Sequence, residues 1–182
     1  MVHHTIPHML FSYPVGARIG ANEKVFSSMC EQFISIANED IISHKRVYLI
    51  CSGSSGAIIA TMMYFHLMNS YAHLDGSVFI IHVKKAEEDS HSSCCDGLPW
   101  AYNAENLHVW VDDHINNGAT IGYCWSESRN RVDTNFLFDW AVCLTSDYSS
   151  NMESQLELFS RYTRNMVCNI EEFCNKGIFG MF

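Results

Sequence analysis

The most chemically loaded segment of the chain is Val109-Trp-Val-Asp-Asp-His-Ile-Asn-Asn-Gly-Ala-Thr120, where two adjacent carboxylates close an apolar run and a glycine and a hydroxyl follow. Neighbouring carboxylates repel each other, so the pair is costly unless a cation or sugar hydroxyls compensate it. Carboxylates accept hydrogen bonds from vicinal diols. The backbone amides of Asn116, Asn117, Gly118, Ala119 and Thr120, with the Thr120 hydroxyl, can wrap a phosphate. A diol beside a phosphorylated carbon describes a ribose 5-phosphate. A solvated Asp-Asp turn is the plain alternative.

A second segment, Cys51-Ser52-Gly53-Ser54-Ser55-Gly56, follows another apolar run. Its glycines permit positive φ and close backbone approach, and its amides, at the start of a helix, would face an anion with the helix dipole behind them. No Gly-Lys-Ser/Thr follows, which argues against a triphosphate loop, and the spacing is not that of a dinucleotide fingerprint. Taken alone, the segment reads equally as an ordinary tight turn. Other groups carry less. His3, His4 and His8 lack a spaced carboxylate or cysteine partner for a metal, Cys94-Cys95 lacks a second pair, and Ser54 and Ser55 have no triad signal nearby. His91 reads as an incidental loop histidine, and Arg129 and Arg131 as helix-end or solvent-facing cations.

Both loaded segments need elements to hold them. Val25, Met29, Phe33, Ile36 and Ile41 recur at helical spacing and predict an amphipathic helix over 22–44. Short apolar runs at 46–51, 77–83, 107–111 and 138–144 read as buried strands, and 57–69 as a helix apolar nearly all round. The polar stretch 84–106 is long for a loop in a compact domain, a length usually tied to function. Met152, Leu156, Phe159, Tyr162, Met166 and Ile170 predict a C-terminal helix over 151–174. Strands alternating with helices imply βαβ units: an α/β domain with a central, mainly parallel sheet flanked by helices. Ligands then bind at the strand-to-helix turns beyond the carboxyl ends of the strands.

The 182 residues, 48% hydrophobic and 13% aromatic, suffice for one domain with a real core. Twenty acidic against 11 basic residues give a net charge of −9, which argues against a nucleic-acid partner, since phosphate-backbone affinity needs many Lys and Arg. No run approaches the roughly 20 apolar residues of a membrane span, and the start lacks a secretory pattern. The eight cysteines lie largely in apolar segments, which fits reduced thiols and a cytoplasmic setting.

The segment from His108 to Thr120 resembles the phosphoribosyl pyrophosphate (PRPP) signature of the type I phosphoribosyltransferases: a hydrophobic strand, two acids, two further residues, then a Gly-x-Thr loop. The order of the other segments agrees. In that family the turn after the first core strand holds pyrophosphate, here Ser52-Gly53-Ser54-Ser55-Gly56, and a lid with basic residues follows the second strand, here Lys84-Lys85. The resemblance spans residues 47–144. It implies a single domain with a core at about 46–145 and a hood from about 1–45 and 146–182.

By the same resemblance, Asp112 and Asp113 would accept the ribose hydroxyls, Asn116–Thr120 would cradle the 5-phosphate, and Lys84 and Lys85 would close over the leaving group. Mg²⁺ would bridge pyrophosphate to ribose, touching Asp112 and Asp113 only indirectly. The partners implied are PRPP, a nucleobase-like acceptor and a second copy in a homodimer. His114 departs from the usual aliphatic residue, and Asn116 and Asn117 replace the common Ser/Thr pair. Purine-using relatives often carry a carboxylate where Asn116 stands, and an amide cannot act as a general base, which tilts the acceptor towards orotate or another pyrimidine. Glu87, Glu88 and Asp89 make the lid acidic, which keeps open a second class: a non-catalytic PRPP- or nucleotide-sensing protein of the same fold.

Overall fold

The computed structural model describes residues 23–85, 93–94, 102–115, 118–131, 133–146 and 160–168. Helix α1 (Glu23–Ile36) and the short α2 (Asn38–Ser43) precede strand β1 (Arg46–Ser52). Helix α3 (Gly53–Ser70) leads to β2 (Val78–Lys85), followed by the two-residue β3 (Ser93–Cys94). Strand β4 (Asn106–Ile115), helix α4 (Ala119–Arg131), β5 (Phe138–Ser146) and β6 (Thr163–Cys168) complete the order.

The six strands form one sheet in the order β3-β2-β1-β4-β5-β6. Every neighbouring pair is parallel except β2 and β3. Strand β1 pairs with β2 on one side and β4 on the other, so the chain changes direction across the sheet between β1 and β4. At such a reversal the connections leave to opposite faces and a crevice opens beyond the carboxyl ends.

Both faces are covered, which is why the strands read as continuous apolar runs rather than alternating ones. On one face Val47, Leu49, Cys51, Leu107, Val109 and Val111 pack with α3 and with Met29 and Phe33 of α1. On the other, Tyr48, Ile50, Trp110, Phe138 and Ala141 pack with Ile121 and Cys124 of α4. Helix α3 lies between the sheet and α1, and accordingly buries Ile59, Ala60, Met62, Met63 and Leu67 almost completely. Cys51, Cys124 and Cys143 are buried. Among the described residues no helix is long and apolar enough to cross a membrane.

Several expectations are corrected. The helix expected over 22–44 is two helices broken at Ala37, which shifts the buried face so that Ala37 and Ile41 are covered while Ile36 is 56% exposed. Met29, Cys30 and Phe33 of α1 and Ile41 of α2 pack into the larger core. Within the stretch read as a C-terminal helix, Thr163–Cys168 is a strand that pairs with β5, from Phe138↔Thr163 to Cys143↔Cys168. The parallel ladder with β5 overrides the helical spacing there. The remaining parts of the expected hood, 1–22, 147–159 and 169–182, lie outside the described residues.

Candidate functional site

Helix α3 starts directly from the end of β1. Gly53 adopts φ +66°, a left-handed conformation that costs glycine nothing, and it turns the chain from strand to helix within one residue. Ser52 occupies the N-cap position but makes no capping bond, and the first turn contains no acid. The Ser52 side chain is nevertheless buried, with its Oγ unpartnered among the described residues. A buried hydroxyl without a partner is costly, and a helix start without an acid or a cap leaves its amides and positive dipole end for a ligand.

The first turn of α3 presses onto the end of β4. A Cβ placed on Gly56 would lie 3.1 Å from the Val111 carbonyl oxygen, 3.3 Å from Cys51 Cβ and 3.7 Å from Asp112 Oδ1. Glycine is therefore needed for close approach here, although its φ is ordinary. The contact brings the two loaded segments of the sequence together at the reversal of strand order. Burial, with Asp112's negative charge as the smaller cause, pushes the Cys51 thiol up to about 12 and keeps it neutral behind the site.

Asp112 and Asp113 were expected to close the strand, with a turn from His114. They are strand residues: β4 runs on to Ile115, with Asp112↔Cys143, His114↔Thr145 and Ile115↔Ser146 paired along β5. Because β5 is long enough to supply partners, the ladder outlasts the apolar run. Gly118 is buried with φ +72°, and its carbonyl accepts the Gly122 amide at 2.8 Å, opening α4. Ala119 and Thr120 form the first turn of that helix, which also lacks an acid. Asn116 and Asn117 lie outside the described residues.

Lys84 and Lys85, expected in a lid loop, are the last residues of β2, paired with Cys94 and Ser93 of β3. They therefore form the base of an antiparallel hairpin. The intervening acids Glu87, Glu88 and Asp89, and His91, lie outside the described residues. Arg129 donates to the Thr134 carbonyl beyond the end of α4 and stacks on Trp125, while Arg131 pairs with Glu127 at 2.9 Å, as helix-end cations should.

Sequence reasoning missed one residue. His82 is exposed near the carboxyl end of β2, level with Cys51 of β1, and its Nε2 lies 3.1 Å from the Gly53 carbonyl oxygen. Its signal was a lone imidazole in the otherwise apolar Val78–Val83 run. Among the described residues no three His, Cys, Asp or Glu side chains converge on a cation position. At the opposite, amino end of the sheet Lys45 pairs with Glu105 at 2.7 Å, and the Tyr102 hydroxyl donates to Asp133 at 3.3 Å.

The architecture matches solved structures. An adenine phosphoribosyltransferase from Thermoanaerobacter pseudethanolicus aligns with a TM-score of 0.50 at 14% identity, covering 82% of each chain. The fold is type I phosphoribosyltransferase-like. A hypothetical protein from Neisseria gonorrhoeae with bound ppGpp aligns at a TM-score of 0.44 and 18% identity over 81% of this chain and 79% of that one. No family model matches the sequence, and no curated protein does. On this phosphoribosyltransferase-like fold, the turns after β1 and β4 occupy the carboxyl-end crevice, where α/β sheets of this kind bind ligands.

Proposed function

We propose that this chain is a phosphoribosyltransferase, moving 5-phosphoribose from PRPP to a nitrogenous base and releasing pyrophosphate. The observation that carries this reading is the close meeting of Gly56, in the first turn of α3, with Val111 and Asp112 at the reversal of strand order. One turn there offers an uncapped helix start with an unpartnered buried hydroxyl, and the other offers adjacent carboxylates followed by a glycine-opened helix. Those are the parts needed to hold a diphosphate, a diol and a monophosphate side by side.

In this reading the bond from the ribose anomeric carbon to pyrophosphate breaks, its electron pair leaves with pyrophosphate, and a ring nitrogen of the base forms the new bond while its proton passes to the departing pyrophosphate or to water. Asp112 and Asp113 accept hydrogen bonds from the ribose hydroxyls and orient the sugar. The amides of residues 116–120 hold the 5-phosphate, and those of residues 52–56 hold the pyrophosphate. Lys84 and Lys85, carried on the hairpin base, offset the charge that grows on the leaving group. The work is positioning and electrostatic stabilisation in a closed site rather than covalent catalysis. The unpartnered Ser52 hydroxyl, Asp112 and Asp113 are the residues that would face Mg²⁺ brought in with the ligand, which would supply neutralisation of pyrophosphate charge.

Asn116 offers no carboxylate, so a pyrimidine such as orotate is the preferred acceptor over a purine. A homodimer in the cytoplasm belongs to the same proposal. The test is incubation with PRPP, Mg²⁺ and a panel of bases, with pyrophosphate release measured. Release that depends on one base supports the enzyme. Saturable PRPP binding without release on any base replaces it with a sensing role, and no PRPP binding overturns both.

A further inference from the structure

The geometry points to His82 as a positioning residue that aims the pyrophosphate turn, an inference that rests on the function proposed above. The Gly53 carbonyl can only accept, so the imidazole Nε2 at 3.1 Å must carry the proton and donate it. Gly53 is also the residue whose φ of +66° makes the strand-to-helix turn, and glycine crosses readily between conformations. As the first residue of α3, Gly53 already offers this carbonyl to the helix ladder, and the His82 bond adds a second hold from the neighbouring strand.

That peptide group is planar and trans, as are all peptide bonds among the described residues. Holding its carbonyl towards His82 therefore holds the Ser54 amide N–H on the opposite side. That amide belongs to the uncapped first turn of α3, next to the buried, unpartnered Ser52 hydroxyl. His82 sits on the neighbouring strand, level with Cys51, so the paired backbones of β1 and β2 fix its distance to the turn. A histidine that grips the carbonyl thus stiffens the glycine at which the anion-facing turn begins. His82 does not touch the reacting atoms; it acts through the amide it orients.

The test uses isothermal titration of the full chain with three probes: pyrophosphate with Mg²⁺, PRPP with Mg²⁺, and ribose 5-phosphate. His82 is exposed, so its replacement leaves the core intact, and thermal melting of each ligand-free variant checks this. His82→Leu should weaken pyrophosphate and PRPP about five- to tenfold, the size of one lost neutral hydrogen bond. Ribose 5-phosphate, which needs only the turn after β4, should bind as before. His82→Gln, which restores a neutral donor, should return pyrophosphate affinity to within about twofold of the original. Unchanged pyrophosphate affinity in His82→Leu overturns the inference and leaves the site reading standing. Equal losses in His82→Leu and His82→Gln also overturn it, because charge rather than a tether would then be at work. Equal weakening of all three probes overturns it too, as a general structural effect. An original chain that binds none of the probes overturns the site reading itself.

Discussion

The turns after β1 and β4 share one backbone device, and the proposed function gives them different chemistry. Each helix opens at a glycine with positive φ, Gly53 at +66° and Gly118 at +72°, and neither first turn contains an acid. The strands that deliver them end differently. Strand β1 finishes in Cys51-Ser52, with no charge, whereas β4 carries Asp112 and Asp113 before its end. An anionic leaving group must be met by amides, a hydroxyl and a helix dipole, and carboxylates beside it would repel it. A sugar diol is better met by carboxylates. A chain of net charge −9 can therefore hold a strongly anionic ligand, provided its acids face the sugar. Net charge excludes recognition of a polyanion by a broad basic surface; it does not describe a site built from backbone.

That contrast can be broken at several places. The largest effect should follow Asp112→Asn combined with Asp113→Asn. Two charge-assisted hydrogen bonds of about 1.5–3 kcal/mol each are lost, so base-dependent pyrophosphate release should fall at least about a hundredfold. Activity within a few-fold of the original would remove the acids from the sugar site. Next comes Gly56→Ala, whose new methyl must displace strand atoms of Val111 and Cys51. Urea denaturation should show a loss of about 1–3 kcal/mol, typical of an overpacked contact. An unchanged midpoint would mean that α3 does not press on β4.

Smaller and more selective effects should come from Gly53→Ala and Gly118→Ala. A Cβ on Gly53 would meet nothing within 4 Å, so its cost is the left-handed conformation alone, about 1–2 kcal/mol. Gly53→Ala should weaken pyrophosphate more than ribose 5-phosphate, and Gly118→Ala the reverse, in the same titrations. Parallel losses in both variants would erase the division of labour between the turns.

Much of this was readable in the residues. The runs at 46–51 and 138–144 became strands with little change, and Ser52–Gly56 and Gly118–Thr120 lie at strand-to-helix turns. What escaped depended on pairing with distant chain. Asp112 to Ile115 stay in β4 because β5 continues beside them, and no local signal in two adjacent acids announces that ladder. Lys84 and Lys85 become strand ends because β3 pairs with them. Thr163–Cys168 joins the sheet edge although Tyr162, Met166 and Ile170 keep helical spacing, since intrinsic preference yields to a partner strand. His82 was overlooked because its partner is a backbone carbonyl 29 residues away.

Hydrogen exchange read at the two turns, with and without PRPP and Mg²⁺, tests most directly whether they hold one ligand. Amides at 52–56 and at 116–120 should both slow on addition of PRPP, while those of the amino-end strand positions 46–48 and 106–108, already protected by the sheet, should change little. Pyrophosphate alone should slow only the first group. Protection of neither turn by PRPP, or protection confined to residues away from the carboxyl ends of β1 and β4, would contradict the site described above.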